Sequence, residues 1–75
     1  MKTSINTNVK LAEGIFSIYV NDLFCQQIPL IHTNFCTDFE IENAISYNKR
    51  YNVNEVKQIA IQLIQLLNDS NLRKQ

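Results

Sequence analysis

The sequence has few of the residues that metal centres and disulfide frameworks need. Two cysteines and one histidine are all that its 75 residues contain, and no C-x-x-C or H-x-x-x-H pair occurs. Structural zinc sites usually take four ligands from such closely spaced pairs, so we expect no metal and no other cofactor. Domains of this size are only marginally stable alone. Oligomerisation or partner binding is therefore the natural source of additional stability.

The sequence also lacks an excess of charge of either sign. Seven Lys and Arg balance seven Asp and Glu, which argues against a general affinity for nucleic acid or for an anionic membrane. No apolar run approaches the roughly 18 residues of a membrane span, and the N-terminal MKTSINTNVK has no apolar signal core. We therefore expect a cytoplasmic protein whose thiols stay reduced.

The longest periodic segment, NVNEVKQIAIQLIQLLN, predicts a helix over residues 53–68. Asn52 and Glu55 have the spacing of a capping box at its start. Its apolar arc is about twice as wide as the roughly 100° stripe that one covering layer requires. The arc contains Val56, Ile59, Ala60, Leu63, Ile64, Leu66 and Leu67. Such a helix is either buried on two sides within the chain or in contact with another chain, and Ile61 lies outside the arc, near its edge.

Three segments before residue 30 have the side-chain pattern of strands. Alternation over 4–11, and β-branched and aromatic residues over 15–20 and 23–28, predict a meander of three strands. Two-residue turns at Glu13-Gly14 and Asn21-Asp22 join them, and Gly14 supplies a positive φ.

These turns determine which residues face each other. Val9 should face Ile18 in the first hairpin; in the second, Ile18 should face Cys25 and Ile15 should face Ile28. One face, which we expect to be covered by the long helix, carries Val9, Leu11, Phe16, Ile18, Val20 and Leu23. The opposite face is also apolar, with Ile15, Tyr19, Phe24 and Ile28. Exposed patches of this kind often mark interaction sites, unless the segment after Pro29 folds across the patch.

The segment after the strands is harder to assign. Residues 29–36 have no period and predict a connection. Residues 37–50 fit a helix over 38–50, with Thr37 and Glu40 as a capping box, but they also alternate as a strand would. We prefer the helix, because the capping pair is a start signal with a physical mechanism. The prediction is one α+β domain over residues 1–75, in which a three-stranded antiparallel meander precedes a short helix and a long C-terminal helix packed on the sheet.

His32 and Cys36 lie in the connecting segment and have the side chains of a base and a nucleophile. Nothing in the sequence supplies an oxyanion hole, and a small domain has little room for a substrate pocket. A metal site on Cys25, His32 and Cys36 would need a carboxylate such as Asp38 as its fourth ligand. We therefore expect no enzyme and no metal centre.

A short cluster of basic and aromatic residues supports a second class of function. Tyr47, Lys49, Arg50 and Tyr51 could stack on bases and neutralise phosphates, which would suit a dimeric nucleic-acid-binding regulator. The simpler interpretation is a solvated helix end followed by an aromatic residue packed at the start of the next helix.

The leading expectation is a non-enzymatic protein-binding module, an inhibitor or modulator that occludes a protein partner or a second copy of itself. Acidic residues in the first turns of the predicted short helix either attract a basic partner or simply suit the helix dipole. The predicted partner-binding residues are Ile15, Tyr19, Phe24, Ile28, Asp38, Glu40, Glu42 and Ile61. Heavy use of Asn and Ile, as A/T-rich codons would give, suggests a phage or mobile element and hence an anti-CRISPR, immunity or antitoxin protein.

Overall fold

A computed structural model of the chain describes residues 6–70. It confirms the α+β class: an antiparallel sheet in the order β1-β2-β3 precedes a short 3-10 turn and two helices. The elements are β1 Thr7–Ala12, β2 Ile15–Val20, β3 Leu23–Pro29, the 3-10 turn Leu30–His32, α1 Asp38–Tyr47 and α2 Val53–Asp69. The predicted start of the first strand, at residues 4 and 5, lies outside the described residues.

Both hairpin turns use a left-handed backbone. Glu13 and Gly14 have φ angles of 54° and 75°, and Asn21 and Asp22 have 53° and 66°. Two successive positive φ angles are typical of the type I′ turn, whose twist matches that of the flanking strands. The first hairpin consequently has the predicted register throughout.

The predicted register of the second hairpin is wrong beyond Phe24. The pairing shifts between Ile18 and Tyr19, so that Ile18 faces Gln26 and Cys25 is left as an extra residue. An extra residue in one strand is a β-bulge, which bends the strand and interrupts its alternation. The bulge has no marker in the side-chain pattern of β3.

After the bulge, the side chains of β3 point to the opposite sides of the sheet from those predicted. Ile28, predicted opposite Ile15 on the solvent side, instead faces Phe16 and packs against the core. Pro29 takes the position opposite Ile15. Ile28 is therefore partly buried against the core, and its predicted place in an exposed patch is wrong.

Residues 38–47 form a helix, so the strand alternative for this segment is wrong. The Thr37 hydroxyl oxygen accepts the Glu40 amide hydrogen at 3.2 Å, and the Glu40 carboxylate accepts the Thr37 amide hydrogen at 2.8 Å. The helix ends at Tyr47 rather than at residue 50. Lys49 has a φ of 60°, a left-handed conformation that cannot continue a right-handed helix.

The long helix α2 is buried on two sides, because it packs on β1 and on α1. This explains the width of its apolar arc, of which Val56, Ile59, Ala60, Leu63 and Leu67 are buried. The core is completed by Val9, Phe16 and Ile18 from the sheet and by Ile41 and Ile45 from α1. Leu23, predicted in the core, is exposed at the end of the hairpin beside the turn.

The segment between β3 and α1 packs on the helical side of the sheet. Leu30 and Cys36 contact the core cluster. Thr33 is buried, and its hydroxyl donates to the carbonyl oxygen of Leu30 at 2.8 Å. The segment therefore does not fold across the opposite sheet face, which was the alternative explanation for the apolar residues there.

Candidate functional site

The sheet face turned away from the helices, here called the outer face, carries Lys10, Ile15, Tyr19 and Phe24 on alternate positions to the core residues. The rings of Tyr19 and Phe24 face each other across β2 and β3 and meet edge to face, with centroids 5.8 Å apart. Lys10 Nζ lies 5.3 Å from the centroid of the Tyr19 ring, within cation–π distance. Phe24 is nevertheless 56% exposed, so the pair is an open aromatic platform held in place by strand register.

A second apolar surface lies between the two helices. This helix groove has a volume of about 490 Å³ and is lined by Asp38, Phe39, Glu42, Lys57, Ala60, Ile61 and Ile64. Phe39 is 72% exposed and Ile61 is 51% exposed. Three predicted binding residues, Asp38, Glu42 and Ile61, thus come together here. Phe39 was not predicted as a binding residue, because a single exposed aromatic residue is ordinary and only the packing of the two helices places it beside Ile61.

The other two predicted binding residues have structural roles. Ile28 is partly buried and packs against the core. The carboxylate of Glu40 accepts the amide hydrogen of Thr37 in the capping box. Glu40 is therefore accounted for by its role at the helix N-terminus, whereas Asp38 and Glu42 line the helix groove.

The free edge of β1 is covered by a side chain from α2. Gln62 Oε1 accepts the amide hydrogen of Val9 at 3.0 Å, and Gln62 Nε2 donates to the carbonyl oxygen of Thr7 at 3.1 Å. The carboxamide thus replaces the peptide group of a further strand. Gln62 lies outside the apolar arc predicted for the helix, and its contact with β1 was not predicted from the sequence.

The edge of β3 is also unsuited to the addition of a strand. Arg50 Nη1 donates to the carbonyl oxygen of Cys25, the bulged residue, at 2.6 Å. Pro29, at the end of the strand, has no amide hydrogen to donate. Bulges, prolines and charged side chains are the usual protection of sheet edges. Side chains thus occupy backbone groups at both edges of the sheet.

The four residues of the basic-aromatic cluster do not share one role. Tyr47 and Lys49 are exposed, but Arg50 binds the backbone of β3. The Tyr51 hydroxyl donates to Gln26 Oε1 at 2.8 Å. Burial raises the pKa of Tyr51 to about 12, and the nearby Cys25 adds to the increase, while Arg50 opposes it. Arg50 and Tyr51 thus tie the loop between the helices to the sheet, and the nucleic-acid alternative gains no support from them.

The hydrogen bond that the structure shows between the predicted nucleophile and the predicted base involves the backbone of His32. The Cys36 thiol donates to the backbone carbonyl of His32 at 3.2 Å. Nucleophile activation requires hydrogen-bond contact between the thiol and the imidazole ring, and this bond instead engages the backbone. His32, Thr33 and Cys36 line part of a smaller groove, of about 260 Å³, beside β3. Among residues 6–70, no three His, Cys, Asp or Glu side chains are grouped so that they could hold a metal ion.

Comparison of the chain with protein-family models, with curated proteins and with solved structures gives no match. Within the described part of the chain, neither helix is long and apolar enough to cross a membrane. The two apolar surfaces, the outer face and the helix groove, are therefore interpreted from their geometry and chemistry alone.

Proposed function

We propose that this protein is a non-enzymatic protein-binding module that covers part of a protein partner with the outer face of its sheet. The observation that carries the proposal is the Tyr19–Phe24 pair, whose rings are fixed against each other at 5.8 Å while Phe24 stays more than half exposed. Tyrosine and other aromatic residues are enriched at the centres of protein interfaces.

The position of the pair favours binding without rearrangement. Tyr19 and Phe24 lie on adjacent strands and are held in register by a type I′ turn. A preformed aromatic surface loses little conformational entropy when it is buried, so most of its apolar contact contributes to affinity. Lys10 beside Tyr19 adds a positive charge at the margin of the surface, where it can orient an approaching acidic group.

The proposed activity is occlusion. A small domain can block a functional surface of a larger protein by covering it with a preformed face, and this activity requires no catalytic residues. We therefore place it among small inhibitors or modulators that work inside the cytoplasm, the class to which antitoxins, immunity proteins and anti-CRISPR proteins belong.

The test compares two double variants, each of which replaces two apolar side chains on a different part of the surface. Tyr19→Ser with Phe24→Ser alters the outer face. Ile31→Ser with Phe35→Ser alters two side chains that are 74% and 77% exposed on the segment between β3 and α1. Both variants and the wild type serve as bait in a lysate of the source organism, and each captured protein is quantified by mass spectrometry.

We expect at least one protein whose recovery falls about tenfold or more with the outer-face variant, which is the loss typical of interface hot spots. The same protein should be recovered normally with the variant at Ile31 and Phe35. Equal recovery by all three baits would overturn the proposal. So would loss of the folded state in the outer-face variant, seen by circular dichroism, because it would show that these residues stabilise the monomer instead.

A further inference from the structure

We propose that the helix groove binds a second copy of this chain, which makes the protein a two-fold symmetric dimer with the helices at its centre. This inference does not depend on the proposed function, because it concerns a different surface. None of the residues that line the groove comes from the sheet.

The groove contains apolar side chains that a single copy of the chain leaves exposed to solvent. Phe39 from α1 and Ile61 from α2 are 72% and 51% exposed, while Ala60 at the floor is buried. Isolated exposed apolar side chains are ordinary, but an aromatic and an aliphatic residue lining one concave surface form the apolar centre that interfaces require.

The charges on the two walls of the groove favour a second copy of this chain as the molecule that binds there. The α1 wall carries Asp38 and Glu42, whereas the α2 wall carries Lys57. Within the described residues, neither Glu42 nor Lys57 makes an ion pair. The α1 wall is therefore acidic and the α2 wall is basic. A surface that complements this groove places a basic wall against α1 and an acidic wall against α2, and a second copy of the chain can provide both.

A two-fold axis along the groove produces this exchange. Rotation about that axis places α1 of one copy against α2 of the other, and each wall meets the opposite wall at the same level. Because Glu42 and Lys57 line the same groove, Glu42 then faces Lys57 of the second copy, and Phe39 packs against Ile61 of the second copy. Each pair occurs twice, as an isologous interface requires. The result is a four-helix arrangement with an apolar centre and a charged margin.

Two general properties of the chain favour such a dimer. Its formal net charge is zero, so two copies do not repel each other at long range. Domains of this size commonly gain stability by self-association. In the dimer, the sheets lie outside the helices and both outer faces stay exposed, so that the proposed partner surface is presented twice and can bind with avidity.

The test is the solution mass by light scattering, over protein concentrations from about 5 µM to about 500 µM, a range that detects micromolar self-association. We expect twice the mass of one chain at high concentration. Phe39→Ser should raise the dimer dissociation constant about 30-fold or more, as removal of a central aromatic anchor does. Phe35→Ser, which removes an equally exposed aromatic ring outside the groove, should leave the constant unchanged.

Charge exchange distinguishes this dimer from one built on another surface. Glu42→Lys or Lys57→Glu alone places like charges opposite each other at both contacts between residues 42 and 57. Either variant should weaken the dimer about tenfold, because two ion pairs are lost and two repulsive contacts are created. The double variant, Glu42→Lys with Lys57→Glu, restores two opposite pairs and should recover most of the loss. A monomer at every concentration would overturn the inference. A dimer that is insensitive to Phe39→Ser, or one that the double variant fails to recover, would overturn it as well.

Discussion

Gln62 and Val9 are joined by a hydrogen bond of 3.0 Å in which the side-chain oxygen of the helix accepts the backbone amide of the first strand. The same carboxamide donates to the carbonyl and to the hydroxyl of Thr7. One side chain therefore satisfies two backbone groups at an open sheet edge and fixes the position of α2 along β1.

Gln62→Ala should lower the free energy of unfolding by about 1–3 kcal/mol, because the partly buried amide of Val9 and carbonyl of Thr7 lose their partner. Urea denaturation followed by circular dichroism measures the change. Gln65→Ala is the matched control, since Gln65 is exposed on the same helix. If both variants lose the same stability, the edge contact has no energetic role.

The first hairpin turn offers a test of backbone strain. Glu13 has a φ of 54°, in a region where asparagine is tolerated better than most residues with a side chain. Glu13→Asn should therefore stabilise the domain by about 0.5–1 kcal/mol, since Asn-Gly is the preferred type I′ pair. The midpoint of thermal unfolding should rise accordingly.

Gly14→Ala tests the same turn in the opposite direction. No atom lies within 4 Å of the position that an added Cβ would occupy, so only the φ of 75° opposes the substitution. The expected loss is about 1–2 kcal/mol, the cost of a left-handed alanine. A much larger loss would mean that the turn is crowded, and no loss would mean that the turn can change its type.

The pKa of Tyr51, raised to about 12 by burial and by Cys25, predicts a pH dependence of stability. The pKa of the tyrosine hydroxyl in the unfolded state is about 10, so the folded state holds the proton more tightly. The stabilisation that results from this tighter proton binding is present in full below pH about 10. It is lost as the pH rises to about 12, because the unfolded state releases its proton first. Stability should therefore fall across this window.

Tyr51→Phe isolates this contribution, because phenylalanine keeps the ring and lacks the ionisable group. The difference in unfolding free energy between wild type and variant should shrink between pH about 10 and about 12. The ultraviolet titration of the folded wild type should contain a phenolate step near about 12 that the variant lacks. A difference that stays constant over the whole window would contradict the assignment.

The elements that follow from local pattern were predictable from the sequence. Three features depend only on residues that are close in sequence: the alternation in β1, the turn at residues 13 and 14, and the capping pair of α2. Periodicity and turn chemistry are therefore sufficient to predict them. The packing of α1 against α2 was not predictable from α2 alone, because a wide apolar arc is equally consistent with contact to another chain.

The features that sequence reasoning missed depend on tertiary contacts. The bulge at Cys25 turns Ile28 towards the core, against which it packs. This bulge could not be predicted from the side-chain pattern of the strand alone. The side chain of Gln62 has the polarity of a solvent-facing residue, yet it bonds to a strand that is far away in sequence. Of the two apolar surfaces, the outer face was partly predictable, because the pairing of Tyr19 with Phe24 follows from the turn. The placement of Phe39 beside Ile61 required the packing of the two helices.

The central claim is that the outer face of the sheet contacts the protein partner, and hydroxyl-radical footprinting of the complex tests it most directly. The method measures the oxidation rate of each side chain with and without the captured partner. We predict that oxidation of Tyr19 and Phe24 falls severalfold in the complex, as expected for the desolvated centre of an interface, while oxidation of Phe35 is unchanged. Unchanged oxidation of Tyr19 and Phe24 in the presence of a bound partner would contradict the account.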